Sequence, residues 1–186
     1  AVVGEIGLDR KWRTPETGAV EYEAQVEAFE AQLRLAAELR RPAVIHCVHA
    51  WGDLIRALRE AEALPPAIYM HSYGGSESFA VSLLKLRGIG DSIYFGFSAT
   101  VNLRSPKLRR AISSVPPERL LLESDVSEPE RMEGDCMRML EVIAAEKKWT
   151  LEEAAERTYA NAVRFYSAAG AARPSPAGDG QVCERV

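Results

Sequence analysis

The chain has 186 residues, 47% apolar and 27% charged, with a net charge of −4 and a pI near 5.5. That suits one soluble domain with a sizeable core. It gives no strong field for steering nucleic acid, so a local basic patch or bound metal ions would have to supply positive charge. No apolar run is long enough to cross a bilayer, and Cys47, Cys136 and Cys183, odd in number and far apart, read as reduced thiols of an intracellular protein, cytoplasmic or nuclear.

Apolar strands and amphipathic helices alternate. Residues 1–4 (AVVG) read as a strand that ends at Glu5. Residues 21–39 read as a helix whose stripe Val26, Phe29, Leu33, Ala36 and Ala37 recurs at spacings of three and four. Pro42 stops it, because the residue before a proline avoids helical backbone. Strands follow at 42–48, 67–73, 92–98 and 119–125, with helices at 51–62, 76–86 and 106–113 between them. Two helices close the pattern, at 135–147 and 151–167. Thr150 with Glu153 forms a capping box for the second. Residues 169–186 lose all periodicity and read as a disordered tail. Five βα units with short apolar strands imply an α/β fold with a parallel sheet, either a doubly wound open sheet or part of a (β/α)8 barrel.

Four of these strands end on a residue suited to metal binding or proton transfer: Glu5, His46, His71 and Asp125. In parallel α/β folds the C-terminal strand ends meet on one rim, where sites are built. Alone, each has an ordinary explanation. A histidine at a strand end often packs and hydrogen-bonds, and a carboxylate there often caps a helix. Together, two carboxylates and two imidazoles suit a divalent cation, which removes the cost of burying like charges side by side.

The segments GEIGLD (4–9), IHC (45–47), HSYGGS (71–76) and LLLESD (120–125), with QLRLAAEL (32–39) and the stretch from Glu153 to Phe165, resemble the TatD family of metal-dependent deoxyribonucleases. The resemblance runs over residues 1–167. YFGFSATVN (94–102) and ESDVSEPERM (123–132) are similar to a fungal TatD-like branch. The resemblance implies strands four to eight of a TIM barrel of the amidohydrolase type, with residues 1–168 as the domain. It implies two divalent ions (Mg, Mn or Zn) and DNA as substrate. Glu5 would be the shared ligand, His46 and His71 further ligands, and Asp125 a ligand and general base. The family's HxH pair, from its first strand, has no counterpart in these residues. Val48 stands where many members have Arg, and the segment after Asp125 lacks the usual Pro.

Ser72, Tyr73, Arg10 and His49 are candidates for substrate contact, Tyr73 by stacking on a base. Each also has a plainer role: packing for Tyr73, a glycine-rich turn for Ser72, an ion pair with Asp9 for Arg10, a helix start for His49. The rival functions are hydrolysis of a small amide or ester at the same site, and a non-catalytic interaction protein on a degenerate barrel. Five strands alone would also leave two sheet edges, from which the isolated chain is expected to self-associate.

Overall fold

The structure, a computed structural model, describes residues 1–168. The tail expected at 169–186, with Cys183, lies outside the described residues. Five parallel strands form one sheet: β1 (Val3–Asp9), β2 (Ala43–Val48), β3 (Ile68–Met70), β4 (Ile93–Ser98) and β5 (Leu120–Glu123). Each pairs with the next in sequence order. A doubly wound sheet reverses its order at a switch point, whereas a barrel steps in one direction, so the observed order is the barrel pattern. Helices α1 (Tyr22–Glu38), α2 (Trp51–Glu60) and α3 (Glu77–Leu84) follow β1, β2 and β3 in turn. After β4 come a short α4 (Ala99–Asn102) and α5 (Leu108–Ser114). After β5 come α6 (Pro129–Lys147) and α7 (Leu151–Ser167). The capping box at Thr150 and Glu153 forms as the sequence suggests. Helix α6 starts six residues earlier than expected, with Pro129 in its first turn, where a missing N–H costs nothing.

The sheet has two faces because strand side chains alternate. Ile6, Leu8, Ile45, Ile68, Met70, Ile93, Phe95 and Leu120 point toward the helices and form the main core. Val44, Tyr69, Tyr94 and Leu121 point the other way. Phe165 of α7 covers that lower layer, with ring centroids 5.6 Å from Tyr69 and 5.5 Å from Tyr94. Asn161, one turn earlier, donates from its amide to the carbonyls of Pro117 and Leu120 at 2.8 and 2.9 Å. Together they fix α7 beneath β5.

β1 differs from its expected form. It runs through Glu5 to Asp9, and Glu5 lies within it rather than at its end. The glycines that read as an exit turn are required inside the strand. A Cβ on Gly7 would collide with the His46 carbonyl, so only glycine allows β1 and β2 to approach there. The register shifts between Val3 and Ile6, an irregularity of the kind that re-aims side chains beside sites. Past it, Ile6 and Leu8 enter the core, while Glu5, Gly7 and Asp9 share the opposite face.

Among the described residues, β1 and β5 are each paired on one side only. Unpaired strand edges are templates for other chains. Size-exclusion chromatography of the isolated 186-residue chain is therefore expected to show concentration-dependent self-association. A monomer at all concentrations would contradict it.

Candidate metal centre

The face opposite the main core carries His46 above Val44, His71 beyond Tyr69, and Glu123 above Leu121 (each pair two residues apart). Its lower layer is aromatic and apolar, and its upper rim is polar. Glu123 organises the rim. Its Oε2 lies 2.6 Å from His71 Nδ1, and its Oε1 accepts from the Ser72 amide at 2.6 Å. The Tyr69 hydroxyl and Glu123 Oε1 both lie against Gly96, and burial together with the Glu123 charge pushes the Tyr69 hydroxyl well above its usual pKa. A carboxylate on one ring nitrogen fixes the tautomer and aims the other nitrogen outward. His71 Nε2 accordingly faces Asp125 Oδ1 at 3.4 Å and Glu5 Oε1 at 3.6 Å. These separations are long for hydrogen bonds. They are close to the ~3.4 Å edge of a tetrahedron with bonds of ~2.1 Å.

His46 stands to one side, its ring 6.4 Å from that of His71. Its Nε2 lies 3.4 Å from Asp9 Oδ2. Asp9 is held in turn. The Gln25 side chain of α1 accepts from the Asp9 amide at 2.7 Å and donates to the Asp9 carbonyl at 3.0 Å. Glu5 lines both the cleft beside His71 and Asp125, about 680 Å³, and the smaller one beside His46 and Asp9, about 330 Å³.

The charge balance asks for a cation. Four carboxylates, Glu5, Asp9, Glu123 and Asp125, surround two imidazoles. Burial of His71 works against its protonation, but the hydrogen bond to Glu123 and the charges of Glu123, Glu5 and Asp125 outweigh it, and its pKa is pushed up to about 9. The donor set of imidazole nitrogen and carboxylate oxygen suits Zn, Mn and similar ions. Among the described residues, no three His, Cys, Asp or Glu side chains are already closed around one point. Glu5, His71 and Asp125 share one side, and His46 leans toward Asp9.

The substrate-contact candidates fare differently. Tyr73 is 1% exposed, its ring set edge-on to Trp51 and Phe95 at 4.8 and 5.0 Å, and its hydroxyl donates to the Ser76 carbonyl. No ring face remains for a base. The cause is Ser72, whose left-handed backbone (φ 40°) breaks the strand alternation and turns Tyr73 into the core. Ser72 is itself buried, with its hydroxyl on Asp125 Oδ2 at 3.0 Å, and does not face the cleft. Arg10 pairs with Asp53 rather than Asp9, at 2.6 Å, and lies 3.8 Å over the Tyr22 ring. Tyr22 donates to the same Asp53 oxygen. His49 is exposed in the turn before α2, in left-handed backbone, and makes no hydrogen bond or ion pair among the described residues. Trp12 is a residue that sequence reasoning missed. It is 51% exposed, lines the cleft beside His46, and its amide donates to Asp9 Oδ1.

A family described as TatD related DNase matches residues 1–167. The chain belongs to that family. Among its relatives is Cut9-interacting protein scn1 of Schizosaccharomyces pombe, 27% identical over 89% of this chain and 62% of that one. Another is the 3'-5' ssDNA/RNA exonuclease TatD of Edwardsiella piscicida, 36% identical over 66% of this chain and 44% of that one. The crystal structure of YJJV, a TatD homologue from Escherichia coli K12, superposes with a TM-score of 0.70 at 25% identity, covering 88% of this chain and 62% of that one. The chain thus spans less than two-thirds of the length of these relatives. The TatD likeness extends to architecture: the sheet order is that of a TIM-type barrel, and the polar rim sits at the C-terminal strand ends, where such barrels build their sites.

In this TatD-family chain Gly96 of β4 lies directly under the Glu123 carboxylate. A Cβ there would collide with Glu123 Oε1 and with the Tyr69 ring and hydroxyl. What yields is the far end of two side chains, so Gly96→Ala is expected to fold. Moving Glu123 frees His71 to rotate, and metal affinity should fall by ~10–100-fold, the usual cost of losing such a carboxylate. Calorimetric titration with Mn²⁺ checks this, and an unchanged affinity would show that Glu123 does not set the His71 ring.

Proposed function

We propose that residues 1–168 carry strands four to eight of a TatD-type barrel, and that the complete site hydrolyses phosphodiester bonds in DNA with two divalent ions of the Mg, Mn or Zn type. The observation that carries this reading is His71, locked by Glu123 with Nε2 turned toward Glu5 and Asp125. Glu5, His46, His71 and Asp125 would hold the ions. Such ions, when bound, lower the pKa of a water and stabilise charge on phosphate oxygens.

The chain's own residues would do the rest. Asp125 Oδ1, facing the cleft, is the group placed to take a proton from the attacking water, and Glu5 is the second carboxylate beside it. No Lys or Arg is among the residues lining the two rim clefts, and Arg10 is held by Asp53. Phosphate charge at this rim is then offset by bound cations, in keeping with a net charge of −4. The Trp12 indole, exposed beside His46, offers the stacking face that Tyr73 does not. The ssDNA/RNA exonuclease among the relatives makes single-stranded ends the first substrates to try. Free thiols at Cys47 and Cys136 fit an intracellular site of action, cytoplasmic or nuclear. No helix among the described residues is long and apolar enough to cross a membrane.

The test is digestion of a single-stranded oligonucleotide by the full-length protein, stripped by chelator and then resupplied with Mn²⁺. Cleavage should vanish and return. Turnover of an aryl ester without DNA cleavage would move the assignment to small-molecule hydrolysis. Metal binding with neither activity would mark an interaction protein.

A further inference from the structure

Three buried polar side chains lie beneath the rim, where the rest of the sheet is apolar: Ser72 after β3, Ser98 at the end of β4, and Asn102 in α4. They are 8%, 0% and 1% exposed. Buried polar groups are costly unless paired, and here every pairing is made. The Val101 amide donates to Ser98 Oγ at 3.3 Å. Ser98 and Ser72 hydroxyls meet at 2.8 Å. The Ser72 hydroxyl donates to Asp125 Oδ2 at 3.0 Å. Asn102 holds the frame: its Oδ1 accepts from the Ser98 amide at 2.8 Å, and its amide donates to the Tyr73 carbonyl at 3.1 Å.

The direction of this chain is fixed at its Asp125 end. A backbone N–H can only donate, and a carboxylate can only accept. Ser72 has one hydroxyl proton and gives it to Asp125, so Ser98 gives its own proton to Ser72 while its oxygen accepts from Val101. Chains of hydrogen bonds with one polarity strengthen each link. The two oxygens of Asp125 are thereby made unequal. Oδ2 is engaged by Ser72, and Oδ1 is left facing His71 Nε2 at 3.4 Å.

Backbone strain points the same way. Ser72 and Asp125 both sit in the left-handed region, at φ 40° and 53°, where non-glycine residues are uncommon. A glycine at position 72 would relieve the strain and lose the hydroxyl. Strained residues persist where the surroundings over-determine them, and at position 72 those surroundings are Glu123, Ser98, Asn102 and Asp125.

We propose that Ser72 is a positioning residue, the last member of a Val101–Ser98–Ser72 hydrogen-bond relay that fixes the Asp125 carboxylate so that Oδ1 alone faces the metal site. This rests on the metal-site reading of the rim. The relay contributes no charge and touches no substrate. It acts through the orientation of Asp125.

The test compares Ser72→Gly and Ser72→Ala with wild type in the full-length protein. Mn²⁺ affinity is read by calorimetry, melting temperature by circular dichroism, and kcat and KM on an oligonucleotide. Ser72→Gly suits the left-handed backbone but leaves the buried Ser98 hydroxyl without its acceptor, so its melting temperature should stay above that of Ser72→Ala. Its Mn²⁺ affinity should nevertheless fall by about tenfold or more, the scale seen when outer groups of a metal site are removed. kcat should fall while KM holds. Ser72→Ala should show the same loss of affinity, and Ser98→Ala a smaller one in the same direction. A wild type that binds Mn²⁺, with folded Gly and Ala variants binding it equally well, would overturn the relay and leave the metal site standing. A wild type that binds no Mn²⁺ would overturn both.

Discussion

Asp125→Asn in the full-length protein is expected to cut hydrolysis by about 10²–10⁴-fold, the usual contribution of a positioned general base, while the fold is retained. Ser72 decides which way the new amide lies. Its hydroxyl donates to Oδ2, so where Ser98 keeps donating to Ser72 the Asn carbonyl oxygen takes that place and the NH₂ takes the place of Oδ1. An NH₂ there points hydrogens at His71 Nε2 and toward the cleft. It can neither accept a proton from water nor ligate a cation well. Circular dichroism should show an unchanged fold. Unaltered turnover with intact metal content would remove Asp125 from the role of base.

Glu123→Gln is expected to damage both stability and metal binding. The native carboxylate accepts from the Ser72 amide and meets His71 Nδ1, at 2.6 Å each. Its side chain is 15% exposed. A carboxamide has one acceptor oxygen, and its NH₂ must face a donor. One buried partner is then left unsatisfied, at about 1–3 kcal/mol, more where the lost acceptor was charged. The His71 ring loses the contact that sets its tautomer, and Mn²⁺ affinity should fall by ~10–100-fold. Denaturant unfolding and calorimetry would each see one half of this. A variant as stable as wild type, with equal affinity, would contradict it.

The barrel-type alternation is legible in the sequence because each strand is a short apolar run and each helix carries its own stripe. His46, His71 and Asp125 are legible for the same reason, since a polar residue ending an apolar run stands out. Glu5 is legible as a rim residue but not as a mid-strand one. Gly4 and Gly7 resemble a turn, and only the close approach of β1 to β2 explains Gly7. A period-two reading of EIGLD would have placed Asp9 beside Glu5. Tyr73 misleads because alternation presumes regular backbone, and Ser72 at φ 40° reverses it. The Arg10–Asp53 pair joins residues 43 positions apart in sequence, and no local pattern announces it. Trp12 and Gln25 sit in or after loops whose path the sequence does not reveal.

On the reading proposed above, the C-terminal rim of this sheet binds divalent metal through Glu5, His71 and Asp125, with His46 completing the set. Anomalous diffraction from crystals of the full-length protein soaked in Mn²⁺ tests it most directly. A peak is expected at the rim within about 2.0–2.4 Å of His71 Nε2 and of carboxylate oxygens from Glu5 and Asp125. A peak that avoids these residues, or none at the rim at saturating Mn²⁺, would contradict it.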